Sequence, residues 1–280
     1  MKTGTSNNGE KGIALVAALW AITTLALLAA SLDLSVKNDA ALVRNNLRAL
    51  QQQARIDAGF EIAAARLRDT NVSTRWSADG ASHRVVFDGA ALQIRIEDAN
   101  ARLDLNVSDL TIIEKLVAQF ASSDAARVFS EAIGKRRKAA ERTQTVAFVD
   151  PAQLLDIEGV SYELYRRLAP FVTVHSRTGR INPVSAQREV LASLPKLTAQ
   201  NVETALTLQA TASRGNTPVL AALRNARRWL TPESGPAFIV TVDVLPGRAG
   251  GGRTSQGVLL IDVSSDTPYH LLAWRADTQS

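Results

Sequence analysis

Cysteine is absent from the 280 residues, which excludes a disulfide framework and any thiolate metal site. Proline is absent before Pro151, so nothing forces a kink or a break in the first half of the chain. Charge is absent from 13–32, where the only polar side chains are Thr23, Thr24 and Ser31, and Asp33 closes the run. Histidine occurs three times, as His83, His175 and His270, far apart and without ligand spacing. No serine, threonine or lysine is set beside a base in the pattern of a nucleophile, so the sequence offers no reaction centre and the chain is expected not to be an enzyme. The charge balance excludes little: 32 basic against 27 acidic residues give +5, and the densest basic cluster, Lys135-Arg136-Arg137-Lys138, reads as a solvated helix face or loop.

The uncharged run is the feature the rest is organised around. Its twenty residues, at about 1.5 Å each, match the roughly 30 Å hydrocarbon core of a bilayer, so 13–32 is expected to span a membrane. The apolar spacing then continues: Val43, Leu47, Leu50 and Ala54 form one helical series, and Ile56, Phe60, Ala63 and Leu67 a second. One helix is expected over about 13–68, with Gly59 its weak spot at about 1 kcal/mol relative to alanine.

Beyond 69–71 the pattern changes to strands. Segments 82–87 and 92–97 flank Asp88-Gly89, a hairpin signal. Leu92, Ile94 and Ile96 alternate with Gln93, Arg95 and Glu97, as in a half-buried strand. From about 100 to 231 the pattern is helical, with helices expected at 110–120, 125–133, 151–155, 162–168, 186–194, 199–208 and 218–230. Strands return at 238–245, 257–263 and 269–275. The fold class is therefore α+β: a long N-terminal helix packed on a small antiparallel sheet, interrupted by a large α-helical insertion. The expected organisation is 1–12 as a leader, 13–68 as the helix, 69–99 and 235–280 as the sheet region, and 100–234 as the insertion.

The insertion repeats itself. Arg102-Leu103-Asp104-Leu105-Asn106-Val107-Ser108 opens one helical unit, and Arg180-Ile181-Asn182-Pro183-Val184-Ser185 opens another. In both, an arginine precedes an apolar residue, and polar side chains that can cap a helix follow.

Lys11-Gly12-Ile13 at the head of the apolar helix resembles the processing site of type IV prepilins, which the prepilin peptidase cuts after the glycine. Cleavage between Gly12 and Ile13 makes Ala17 the fifth mature residue, where most pilins and pseudopilins carry glutamate. The class that lacks it is the K-type minor pseudopilin of type II secretion (general secretion pathway protein K), and two further stretches are similar to that family. Glu189-Val190-Leu191-Ala192-Ser193-Leu194-Pro195-Lys196-Leu197 resembles its E-V-L-x-x-L-P-G-L segment. Leu154 to Val174, with Gly159, Tyr165, Leu168, Phe171 and Thr173, resembles its L-x-x-V-x-G to P-Y-h-T-V segment. The resemblance implies a non-catalytic assembly protein of the inner membrane, with its bulk in the periplasm. It implies I- and J-type minor pseudopilins as partners at the pseudopilus tip, where the filament that drives export begins. Prepilin peptidase and membrane lipid complete the implied partners, and nucleic acid is not among them.

The same resemblance implies calcium in the helical part. Asp104, Asp109, Asp150, Asp156 and Glu158 are candidate oxygen ligands, but no EF-hand-like loop is present and no metal site is assigned. The rival reading is a membrane-anchored DNA receptor of the competence type, built on helix-hairpin-helix modules. Those modules carry two hairpin glycines, whereas 194–198 has none and Glu158-Gly159 sets an acid beside its single glycine. Finally, 247–254 nearly fits a phosphate-binding loop with arginine for lysine, but the strand-patterned residues after it make it a hairpin turn.

Overall fold

A computed structural model describes the backbone of residues 8–211, 217–246, 252–261 and 269–277, and the side chains of 15–28, 41–210, 217–246, 252–261 and 269–274. Helix α1 spans Asn8–Leu67. It starts earlier than the sequence pattern suggests: Glu10 and Lys11 are good helix formers, and although Gly9 and Gly12 are poor ones, no proline separates Asn8 from the apolar run. The chain divides into two compact units, Met1–Ala54 and Arg55–Ser280, so the helix contributes to both.

In the second unit, the last turns of α1 lie on a five-stranded antiparallel sheet of order β1-β2-β5-β6-β7. Its strands are β1 (Asp79–Phe87), β2 (Ala90–Asp98), β5 (Ala237–Val244), β6 (Arg253–Leu260) and β7 (His270–Asp277). Alternation decides which face is covered: Leu92, Ile94 and Ile96 of β2 and Val240, Val242 and Val244 of β5 are buried with Ile56, Phe60, Ala63 and Ala64 of the helix. Burying a side chain the size of Ile56 or Phe60 contributes about 1.5–3 kcal/mol.

Two glycines permit the close approach. A Cβ on Gly59 would stand 2.5 Å from Val242 Cγ1, and one on Gly257 would stand 2.8 Å from Phe60 Cε1. Gly59 is thus the contact point of helix and sheet, which offsets its cost to the helix. Outside the core, Arg55 pairs with Asp88 of the β1–β2 turn at 3.1 Å, and the Tyr269 hydroxyl donates to Glu61 at 2.7 Å. Burial and the Glu61 and Asp57 carboxylates push that phenol up to about 12.

Strands β2 and β5 are adjacent in the sheet but separated in sequence by all the helices that follow α1. These helices are α2 (Leu110–Val117), α3 (Ser123–Arg142), α4 (Tyr162–Leu168), α5 (Arg188–Ser193), α6 (Ala199–Thr211) and α7 (Thr217–Ala222). They enclose a core of their own, with Leu103, Ile112, Leu116, Ile133, Phe148, Leu154, Leu168 and Leu191 essentially inaccessible. The 218–230 segment, read from sequence as one helix, is α7 followed by a 3-10 helix, Arg224–Trp229.

The sequence echo is a structural repeat. Asp104 accepts from the Asn106 N–H at 2.7 Å, and Asn182 accepts from the Val184 N–H at 3.1 Å, so each unit opens on the same side-chain turn. Each opening also pairs in parallel with the end of its unit: β3 (Leu103–Asp104) with β4 (Val172–Thr173), and Ile181 with Leu230. The turn ahead of the closing helices repeats too. Gly159-Val160-Ser161 leads into α4 and Lys196-Leu197-Thr198 into α6, with Gly159 and Lys196 both at positive φ (85° and 65°) and Ser161 and Thr198 accepting from the helix amides.

Between the sheet and the helical part lies a buried polar node. Asp98, at the end of β2, is fully inaccessible; its Oδ1 accepts from the N–H groups of Asn100 and Gly235, at 2.9 and 3.1 Å, and its Oδ2 from Asn182 Nδ2 at 2.8 Å. It therefore binds the sheet to the opening of the second unit. The basic cluster on α3 corrects its sequence reading in part. Lys135 and Lys138 are exposed, but Arg137 donates to the carbonyls of Leu105, Ser108 and Asp104, and Arg136 to those of Ala147 and Gln153. These two guanidinium groups satisfy carbonyls at the turns 104–108 and 147–153 that helices cannot reach.

Candidate functional site

The first unit presents an exposed apolar surface. Leu15, Val16, Leu19, Trp20, Ile22, Leu25, Leu27 and Leu28 are 56–74% exposed. At 100° per residue they point in every direction around the axis, and a helix apolar on all sides belongs in apolar surroundings. Its hydroxyls need no water: Thr23 Oγ1 donates to the carbonyls of Leu19 and Trp20 and Thr24 Oγ1 to that of Trp20, at 2.7–3.0 Å. Further on the exposed apolar residues thin to Leu42, Val43, Leu47 and Leu50, which share one side of the helix while Arg44 and Arg48 fall on the other. This narrower face is suited to another helix.

Among the described residues, no helix is long and apolar enough to cross a membrane. The described side chains of the uncharged run are those of 15–28, about 21 Å of helix against a hydrocarbon core of roughly 30 Å. The other residues of the expected span, 13, 14 and 29–32, lie outside the described side chains. Gly12 and Ile13 sit within α1 rather than at its start, and their side chains lie outside the described ones as well. Ala17 is exposed on the apolar segment and brings no carboxylate to it.

The remaining candidates disperse. Asp109 caps α2, and Asp150 forms a capping box with Gln153. Asp156 pairs with Arg136 at 3.2 Å, Glu158 is exposed, and buried Asp104 accepts from Ser176, Arg177 and Asn106. Among the described residues, no three histidine, aspartate or glutamate side chains are grouped to hold a metal ion. His83 lies flat on Trp76, ring centroids 4.1 Å apart, and burial lowers its pKa. Burial also lowers His175, against the pull of Asp104 and Asp150, while His270 is exposed on β7. The loop 247–251 lies outside the described residues; the element after it is strand β6, which pairs with β5 from Arg253 opposite Val244, so no helix N-terminus follows the loop.

Two hollows remain. The smaller, about 90 Å³, lies between Ile239, Gln256 and Val258 on the far face of the sheet and Asp150, Tyr165 and His175 of the helical part. The larger, about 480 Å³, is lined by Arg180, Arg224 and Arg227 with Leu220, Leu230 and Pro232. Sequence reasoning missed it; the signal available was the three-residue spacing of Arg224 and Arg227, which one 3-10 turn places on a single face.

The architecture is that of a long helix laid on an antiparallel sheet, with a helical part between two neighbouring strands. Its fold is GspK-like. The chain is similar to a chain in the crystal structure of the GspK-GspI-GspJ complex from the enterotoxigenic Escherichia coli type 2 secretion system, with a TM-score of 0.57 and 12% identity over 85% of this chain and 99% of that one. No family model and no curated protein matches the sequence.

Proposed function

We propose that the chain is a K-type minor pseudopilin of a type II secretion system, made as a precursor and cut by prepilin peptidase between Gly12 and Ile13. The segment 13–32 anchors it in the inner membrane and the bulk lies in the periplasm. Residues 100–234 form an insertion in a pilin-like frame of helix and sheet. The chain has no catalysis of its own. It assembles with I- and J-type minor pseudopilins at the tip of the pseudopilus and initiates the filament that drives export across the outer membrane.

One observation carries this reading: the likeness in fold, over nearly the whole of the compared chain, to a subunit of a complex of three such proteins. The exposed apolar surface of α1 supports it, because a helix apolar and exposed on all sides requires lipid or sibling helices. Ala17 supports the tip position. Without a carboxylate it cannot neutralise the amino terminus of a subunit above it, and at the tip there is none. The DNA-receptor alternative gains nothing from the fold likeness, and Lys196 occupies the hairpin position that it would need as glycine.

Co-expressed with the I- and J-type proteins of its own host, the full-length chain is expected to co-purify in detergent as one complex with a single copy of each. Leu47→Arg with Leu50→Arg will weaken that complex by about tenfold or more, since both side chains are over half exposed on the face offered to siblings. Native mass spectrometry reads both results. A chain that emerges alone while the siblings pair with each other contradicts the proposal.

A further inference from the structure

Three arginines of the second helical unit line one hollow, with no acidic side chain beside them among the described residues. Arg224 and Arg227 lie one turn apart on the 3-10 helix Arg224–Trp229, where residues three apart are eclipsed. Arg180 comes from a distant part of the sequence. The parallel bridge between Ile181 and Leu230, closed by the Ile181 N–H donating to the Trp229 carbonyl at 2.7 Å, sets it beside them. All three line the 480 Å³ hollow, whose walls are otherwise the side chains of Leu220, Leu230 and Pro232 with Thr217 and Ala221. Among the described residues, no acidic side chain lines it and none of the three guanidinium groups has a hydrogen-bond or ion-pair partner. The other arginines of this region are used differently: Arg228 lies over the Trp229 ring at 4.3 Å, and Arg188 pairs with Glu203.

We propose that this hollow binds an acidic segment of a partner protein, with two or more carboxylates on the arginines and an apolar side chain between them on Leu220 and Leu230. The volume lies within the range of ordinary ligand sites. The guanidinium fork matches a carboxylate bidentately, and three of them converging without an acid leave an electrostatic deficit that a polyanionic partner removes. Phosphate is the weaker fit. Phosphate cradles rely on backbone N–H groups in glycine-rich turns, whereas the described lining residues include no glycine and one proline, which has no N–H. The apolar walls would also lie idle against a small inorganic anion. The inference does not depend on the secretion assignment.

The test uses the full-length chain in detergent and a fluorescein-labelled hexapeptide, Glu-Leu-Asp-Glu-Phe-Asp, read by fluorescence anisotropy. Saturable binding is expected, weakening with added salt. Arg224→Gln with Arg227→Gln is expected to weaken it about tenfold or more at an unchanged melting temperature, and Arg180→Gln by a smaller factor. Inorganic phosphate at equal ionic strength should not compete beyond the effect of a neutral salt, and vesicles of anionic phospholipid should not bind through these arginines. The proposal is overturned by equal binding in wild type and double variant, by no binding, or by phosphate or vesicles taking the site in preference to the peptide.

Discussion

Replacing Phe60 by alanine will lower the stability of the folded chain by about 3–5 kcal/mol. The ring is 4% exposed and lies in the seam between α1 and the sheet, directly over Gly257. Its removal leaves a cavity that neither a regular helix nor a paired strand can close. The same geometry makes the glycine sensitive in the opposite sense. A methyl group at Gly257 would stand 2.8 Å from Phe60 Cε1 and 3.0 Å from a methyl carbon of Leu271, so Gly257→Ala overpacks the seam at about 1–3 kcal/mol. The two sites are therefore coupled. In a Phe60→Leu background, Gly257→Ala should cost measurably less than in wild type, a difference that urea titrations resolve as a coupling of about 0.5 kcal/mol or more. Strict additivity would show that ring and glycine do not touch. Gly59→Ala belongs to the same seam. The new methyl would meet the buried, β-branched Val242 at 2.5 Å, so the gain in helix propensity of about 1 kcal/mol will not appear as added stability.

Asp98→Ala is expected to cost about 3–5 kcal/mol by a different mechanism. The carboxylate accepts from two buried donors and one half-buried one, and its loss leaves the Asn100 and Asn182 groups, and in part the Gly235 amide, unsatisfied, at about 1–3 kcal/mol for each buried one before relaxation. Asp98→Asn is nearly isosteric and will recover only part of the loss, because its NH2 would confront at least one of the donors that the second carboxylate oxygen accepts from. Thermal unfolding of the three proteins checks the order wild type, asparagine, alanine. An asparagine variant as stable as wild type would mean that one oxygen suffices and that the node holds less than its geometry suggests. Asn182→Ala removes one donor of the three and should cost less than Asp98→Ala.

Legibility in the sequence followed the range of the interaction. The long helix was readable because its signals are local: an uncharged run, apolar residues at three- and four-residue spacing, and no proline before Pro151. Strand β2 was readable from the alternation of Leu92, Ile94 and Ile96, and its turn from Asp88-Gly89. The repeat in the helical part was visible as an echo around Asp104 and Asn182, but its parallel pairings, Leu103 with Val172 and Ile181 with Leu230, were not. Such bridges are one or two residues long and leave no period. What pattern cannot show is which distant residues meet. Asp98 finds its partners 84 and 137 positions away. Gly59 looked like a weak spot in the helix until Val242 was seen against it. Arg136 and Arg137 looked like solvated charge because their partners are carbonyls, which every residue carries and no sequence pattern marks. The arginine hollow escaped for the same reason, since the Ile181–Leu230 bridge alone brings Arg180 beside Arg224 and Arg227.

The claim that this chain is a processed pseudopilin is tested most directly by the intact mass of its mature amino terminus. The chain would be purified with and without co-expressed prepilin peptidase, beside a Gly12→Ala variant. The account predicts loss of residues 1–12 that requires both the peptidase and Gly12, leaving Ile13 first and Ala17 fifth. A full-length chain in the presence of active peptidase, or cleavage that ignores the Gly12→Ala change, would contradict it.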